Sequence, residues 1–130
     1  MLKQVLTSLW LLSLPVAMSQ TPEQAEFFEK NVRPVLVKSC QGCHGPATEH
    51  SGLRLDSRAA MLKGGARGPA IVPGQPEASL LVKSIRHDGL KMPLGGKLKA
   101  EEISALETWI AKGAPWPAEA VISAGPRALE

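Results

Sequence analysis

Both cysteines of this 130-residue chain fall inside one pentapeptide, Cys40-Gln41-Gly42-Cys43-His44. That placement restricts what the thiols can do. A structural disulfide is rare at this spacing in a helical turn. A zinc site needs about four ligands; His50 and His87 could extend the set, but the chain has no second ligand pair at zinc spacing. A redox-active dithiol belongs near a βαβ pattern, and none is found. The remaining reading is the attachment signature of a c-type haem. The two thiols add across the haem vinyl groups, and the adjacent His44 is set against one face of the iron. The histidine decides the matter, because neither rival requires it.

The start of the chain suits export. Lys3 supplies a small positive region, and Val5 to Ala17 is an apolar run broken only by Thr7, Ser8, Ser13 and Pro15. Thirteen residues are too few to span a bilayer comfortably and suit the core of a secretory signal. Ala17-Met18-Ser19 is a small-x-small cleavage site, so residues 1–19 are expected to be a signal peptide. An uncleaved anchor is the alternative. Cleavage leaves 111 residues (130 − 19), one domain at the small end for burying a core. A covalent haem would add a large apolar body to that core. The formal charge of +3 becomes +2 once Lys3 is removed, too small to argue for nucleic acid.

Helical periodicity dominates the rest. Thr21-Pro22-Glu23-Gln24 reads as a capping box with proline at the first helical position. Phe28, Val32, Val35 and Leu36 then form one apolar face, and Pro34 predicts a kink or two abutting helices. Leu53 and Leu55 mark a short extended piece. Asp56-Ser57 can cap a short helix over Arg58 to Lys63 that stops at Gly64-Gly65. Residues 68–74, bounded by prolines and glycines, are expected to be non-helical. A third helix is expected from Pro76, with Ala78, Leu81 and Ile85 on one face. A loop follows from His87 to Leu98, then a last helix from about Ala100 to Lys112. Ile103, Leu106, Trp109 and Ile110 give that helix its apolar side, its N-cap is poor, and Gly113, Pro115 and Pro117 end it. Residues 118–130 are expected to be a disordered tail.

The second axial position has four candidates: His50, Met61, His87 and Met92. His50 is six residues from His44 and is expected on the same side. Met61 reads as core, and His87 as an exposed or helix-terminal cation. Met92 lies in a polar loop where core packing does not explain it, and Pro93 biases it toward an extended conformation that presents the thioether. Met92 is therefore the leading candidate, with His87, Met61 and an open site as alternatives. Leu53, Leu55, Ile71, Leu81 and Ile85 are expected to shield the iron. Lys83, Lys91, Lys97 and Lys99 form either a weakly basic docking rim or ordinary solvated surface, and the small net charge favours the latter.

These motifs, read together, resemble one family. They are Phe27-Phe28-Glu29-Lys30-Asn31-Val32-Arg33-Pro34, the Cys40/Cys43/His44 signature, Ala70-Ile71-Val72-Pro73-Gly74, Ser79-Leu80-Leu81, Met92-Pro93, and the run from Trp109 to Pro117. In that order they look like the planctomycete-type cytochrome c domain, over roughly residues 22 to 117. The resemblance implies an all-α fold similar to class I cytochromes c, with about four short helices around one covalent haem c and the terminal helices crossing near it. A domain spanning residues 20–117 follows. The resemblance carries haem attachment onto Cys40 and Cys43, and axial ligation onto His44 and Met92. It implies an exported, periplasmic or secreted carrier of single electrons rather than an enzyme, serving a redox partner protein. The alternatives are a haem-based small-ligand sensor and an electron-entry module of a longer secreted protein, since the family often carries this domain at the front of one. Two departures stand out: Leu94 where the family often has a second proline, and the missing Ser or Asp cap before the last helix.

Overall fold

A computed structural model describes residues 20–117. The expected signal over residues 1–19 and the expected tail over 118–130 lie outside the described residues. Helix α1 (Pro22–Phe27) begins with the capping box read from the sequence: Gln24 N–H donates to Thr21 Oγ1 at 3.2 Å, and Thr21 N–H donates to Gln24 Oε1 at 3.0 Å. A wider π-helical turn, Phe28–Val32, joins it to α2 (Arg33–Ser39). The irregularity expected at Pro34 thus falls one turn upstream. The extra residue in the turn lets Pro34 enter within the first turn of α2, where its missing N–H leaves no helical bond unmade.

After the cysteine motif a 3₁₀ turn (His50–Gly52) and an extended stretch through Leu55 lead into α3 (Arg58–Lys63). Its cap is Ser57, whose Oγ accepts from Ala60 N–H at 3.1 Å. Gly64 ends α3 at φ 70°, and a Cβ there would overlap the carbonyl oxygen of Gly68. The helix expected from Pro76 divides in two, a 3₁₀ turn (Pro76–Ala78) and α4 (Leu80–Ile85). Ser79 causes the break. Its hydroxyl accepts from Val72 N–H and donates to the Gln75 carbonyl, both at 2.9 Å, which holds residue 79 extended. Ala78 is consequently exposed and contributes nothing to the apolar face. Helix α5 (Ala100–Ala111) starts on Lys99, and Glu102 supplies half a capping box by accepting from Lys99 N–H at 3.0 Å.

The core has two parts. In one, α5 crosses the π-turn: Phe28, Val32, Leu36, Leu106, Trp109 and Ile110 are all buried. The rings of Phe28, Trp109 and Trp116 form a tilted trio with centroids 4.6–6.0 Å apart. Trp109 Nε1–H donates to the Pro115 carbonyl at 2.8 Å, so its polar atom is satisfied. In the other part, main-chain bonds tie successive segments together: Ala70 N–H to Met61 O at 2.9 Å, and Leu81 N–H to Ala70 O at 2.8 Å. Met61 is wholly buried here, as expected of a core methionine. Among the described residues there is no strand, only two isolated bridges, His44–Glu49 and Gly65–Gly68. The all-α expectation is borne out. No described helix is long and apolar enough to cross a membrane.

Candidate functional site

The cysteine motif is a compact turn at the end of α2. His44 N–H bonds the Cys40 carbonyl at 2.9 Å, and His50 N–H bonds that of Cys43 at 3.0 Å. Gly45 is buried against this turn, and a Cβ on it would come 2.5 Å from the Gln41 carbonyl oxygen. Only glycine fits there without moving the turn. The chain then doubles back, and Leu55 N–H bonds the His44 carbonyl at 2.8 Å. Cys40 is buried and Cys43 exposed. Burial pushes the Cys40 thiol up to about 12, with the negative charge of Glu102 adding to it. This is opposite to the lowered thiol pKa of a redox-active C-x-x-C.

Both cysteines open onto a cavity of about 600 Å³, within the ~300–1,000 Å³ of small-molecule and cofactor sites. His44 and His50 lie on its wall near them. Leu53, Leu55, Ala70, Leu81 and Ile85 give it an apolar lining, and Met92, Pro93 and Leu94 complete it from the long loop. Of the shielding residues expected, Ile71 alone is absent from the wall: it is buried in the core, and Ala70 beside it faces the space.

The structure sorts the candidates for the second axial position. Met92 and His50 line the cavity; Met61 and His87 do not. His50 lies close to His44 in the same turn. The Nδ1 of His44 is 3.1 Å from the His50 carbonyl oxygen, a bond that commits Nδ1–H and leaves Nε2 as the nitrogen free to bind a metal. Met92 is carried by a cis Met92–Pro93 peptide. It is anchored to α4, since its N–H bonds the Ser84 carbonyl at 3.0 Å while the Ser84 hydroxyl bonds the Leu80 carbonyl at 2.8 Å. Nothing in the sequence signalled Ser84, and Gly45 resembles any other turn glycine.

The residues present fit a covalently held haem. Two thiols and a histidine with one committed nitrogen share an apolar space with a thioether. Among the described residues no group of three or more His, Cys, Asp and Glu side chains could hold a bare metal ion. Lys83, Lys91, Lys97 and Lys99 are exposed and none lines the cavity; the cations that do are Lys38 and Arg67, which sequence reasoning passed over.

Nothing among curated proteins or solved structures matches the chain. One family model does, described as Planctomycete cytochrome C, over residues 40–93. The match begins at the first cysteine and ends at the proline after Met92. It therefore takes in the cysteine–histidine motif, α3, α4 and the methionine loop, while α1, α2 and α5 lie outside it. Over residues 40–93, then, this chain is similar to the planctomycete cytochrome c family, as its motifs led one to expect.

Proposed function

We propose that this protein is an exported c-type cytochrome that carries single electrons on one haem, attached through Cys40 and Cys43 and held axially by His44 and Met92. The observation that carries the reading is the convergence of those four side chains on one apolar cavity. The family match supports a haem-binding electron carrier, and the finer assignments rest on the geometry. When bound, the haem supplies one-electron exchange between ferric and ferrous iron.

The chain does the rest. Cys40 and Cys43 fix the group's edge to the end of α2. The His44 imidazole, oriented by the His50 carbonyl, offers Nε2 to the iron. The Met92 thioether is a soft ligand that favours the ferrous state and raises the potential. Leu53, Leu55, Leu81 and Ile85 keep water from the charged ferric form. His44 and Met92 would together occupy the protein-facing positions on the group and leave none for a substrate, which fits service to a redox partner rather than enzymatic turnover. The apolar run of Val5 to Ala17 fits delivery to the periplasm or outside the cell, where such haems are attached.

The test is an absorption spectrum of the purified holoprotein with a pyridine haemochrome assay. One haem should stay with the polypeptide under acid-acetone extraction, and the reduced protein should bind carbon monoxide slowly. Complete loss of haem in acid-acetone defeats the reading. Rapid carbon monoxide binding means an open site, and with it a ligand sensor instead of a carrier.

A further inference from the structure

We propose that Arg67 is the carboxylate-binding group of the cavity and holds an ionised haem propionate; the inference rests on the function proposed above. The first observation is the state of the arginines. Among the described residues Arg33 pairs with Glu29, Arg54 with Glu49 and Asp56, and Arg86 with Glu77 and Glu107. Arg58 donates to the main-chain carbonyls of Gly113 and Ala114. Arg67 alone has no such partner, and it alone of the five lines the cavity.

The second observation is the cavity wall. It contains no Asp or Glu, so the protein supplies no counter-charge to a cation there. An apolar space with a cation and no acid suits a ligand with an apolar body that brings its own anion. Haem is such a body, with two carboxylates on the edge opposite its vinyl groups. Lys38, the other cation on the wall, stands two residues before Cys40, on the side where the thiols fix the vinyl edge. Arg67 comes from a separate segment, 24 positions beyond Cys43 (67 − 43). Its planar guanidinium can also take a carboxylate through two parallel bonds, which an ammonium cannot.

The third observation is how Arg67 is presented. Ala66 and Arg67 form the tip of a turn closed by reciprocal main-chain bonds, Gly65 N–H to Gly68 O at 3.2 Å and Gly68 N–H to Gly65 O at 3.0 Å. Ala66 N–H is tied to the Ser51 carbonyl at 2.8 Å, which docks the tip on the turn that also orients His44. The close packing of Gly64 on Gly68 fixes the base of the turn. The backbone that carries the guanidinium is thus anchored at three points, as a binding group requires.

The experiment follows the midpoint potential of the holoprotein against pH by spectroelectrochemistry. A neighbouring guanidinium lowers a carboxylate pKa by roughly 1–3 units. Above that pKa the potential is flat; below it, each electron taken from the electrode draws a proton from solvent onto the propionate, and the potential rises. In Arg67→Gln the bend should move to higher pH by roughly 1–3 units. Arg67→Lys, which keeps the charge, should recover most of the shift, and Lys38→Gln should leave the bend in place. An unmoved bend in Arg67→Gln overturns the proposal. So does an equal shift in Lys38→Gln, and, if Arg67→Gln yields no holoprotein, an Arg67→Lys protein indistinguishable from a neutral Arg67→Met. A wild-type protein that carries no attached haem overturns the function reading, and this inference with it.

Discussion

The Nδ1 of His44 lies 3.1 Å from the main-chain carbonyl oxygen of His50, across a turn of six residues. The acceptor is backbone, and it is held in turn by His50 N–H on the Cys43 carbonyl. The orientation of His44 therefore depends on the path of residues 45–50 and not on the imidazole of residue 50.

His50→Ala is thus expected to leave haem attachment and the visible spectrum unchanged. Gly45→Ala should do the opposite, because its new methyl meets the Gln41 carbonyl and pushes the turn apart. The yield of attached haem and the sharpness of the reduced absorption bands measure both. Equal damage from the two substitutions would sink the argument.

Met92→Ala removes the thioether from the cavity. The ferric protein should lose the weak near-infrared band of sulfur-to-iron charge transfer, and the ferrous protein should gain fast carbon monoxide binding. The potential should fall by on the order of 0.1–0.3 V, part of the ~0.8 V that axial ligands span. Met61→Leu, a change in the core, should alter none of these.

Cys40 and Cys43 should differ before attachment. In protein made without haem, an alkylating reagent at mildly alkaline pH should label exposed Cys43 well before buried Cys40. Cys40 also sets a pH dependence. Its folded-state pKa of about 12 lies above the ordinary thiol value of 9.0. The neutral thiol's contribution is therefore complete below about pH 9 and is lost as pH rises toward about 12. Cys40→Ser should flatten the alkaline arm of stability against pH. An unchanged slope would count against a buried neutral thiol.

Gly64→Ala combines a left-handed φ of 70° with overlap on the Gly68 carbonyl. Strain of ~1–3 kcal/mol and overpacking of similar size give an expected destabilisation of roughly 2–6 kcal/mol in denaturant titration. Gly42→Ala, where a Cβ meets nothing within 4 Å, is the control for an innocuous methyl.

At the helix crossing, Trp109→Phe keeps the ring in its trio but abandons the Pro115 carbonyl. A loss of about 1 kcal/mol is expected, against ~3–5 kcal/mol for Trp109→Ala. Chemical denaturation distinguishes the two.

Local signals carried most of the helices. The capping box at Thr21, the Ser57 cap, the Gly64 stop and the period of α5 are all written in neighbouring residues, and the structure keeps them. Where the reading failed, the cause was non-local. Ser79 breaks the helix expected from Pro76 because its hydroxyl is engaged by Val72, and no periodicity encodes that contact. Ile71 and Ala70 exchange roles because an extended segment alternates its faces, and sequence alone did not say which face met the cavity. The cysteine–histidine motif and Met92 were legible as chemistry. Ser84 and Arg67 were not, since their parts depend on what the fold brings beside them.

The contact of Phe28 with Trp109 has a polymer consequence. The two stand 81 positions apart (109 − 28), and closing a flexible loop of that length costs about 4 kcal/mol plus a constant. Once it is closed, the bonds that shape the cavity span short stretches, Met61 to Ala70, Ala70 to Leu81 and Ser84 to Met92. The entropy of bringing distant chain together is thus concentrated in the aromatic crossing. A single backbone cut in the loop of residues 87–98 would leave the crossing's surfaces intact but change the molecularity of the fold. Two fragments would then have to find each other, and cavity formation would depend on protein concentration where the unbroken chain shows no such dependence.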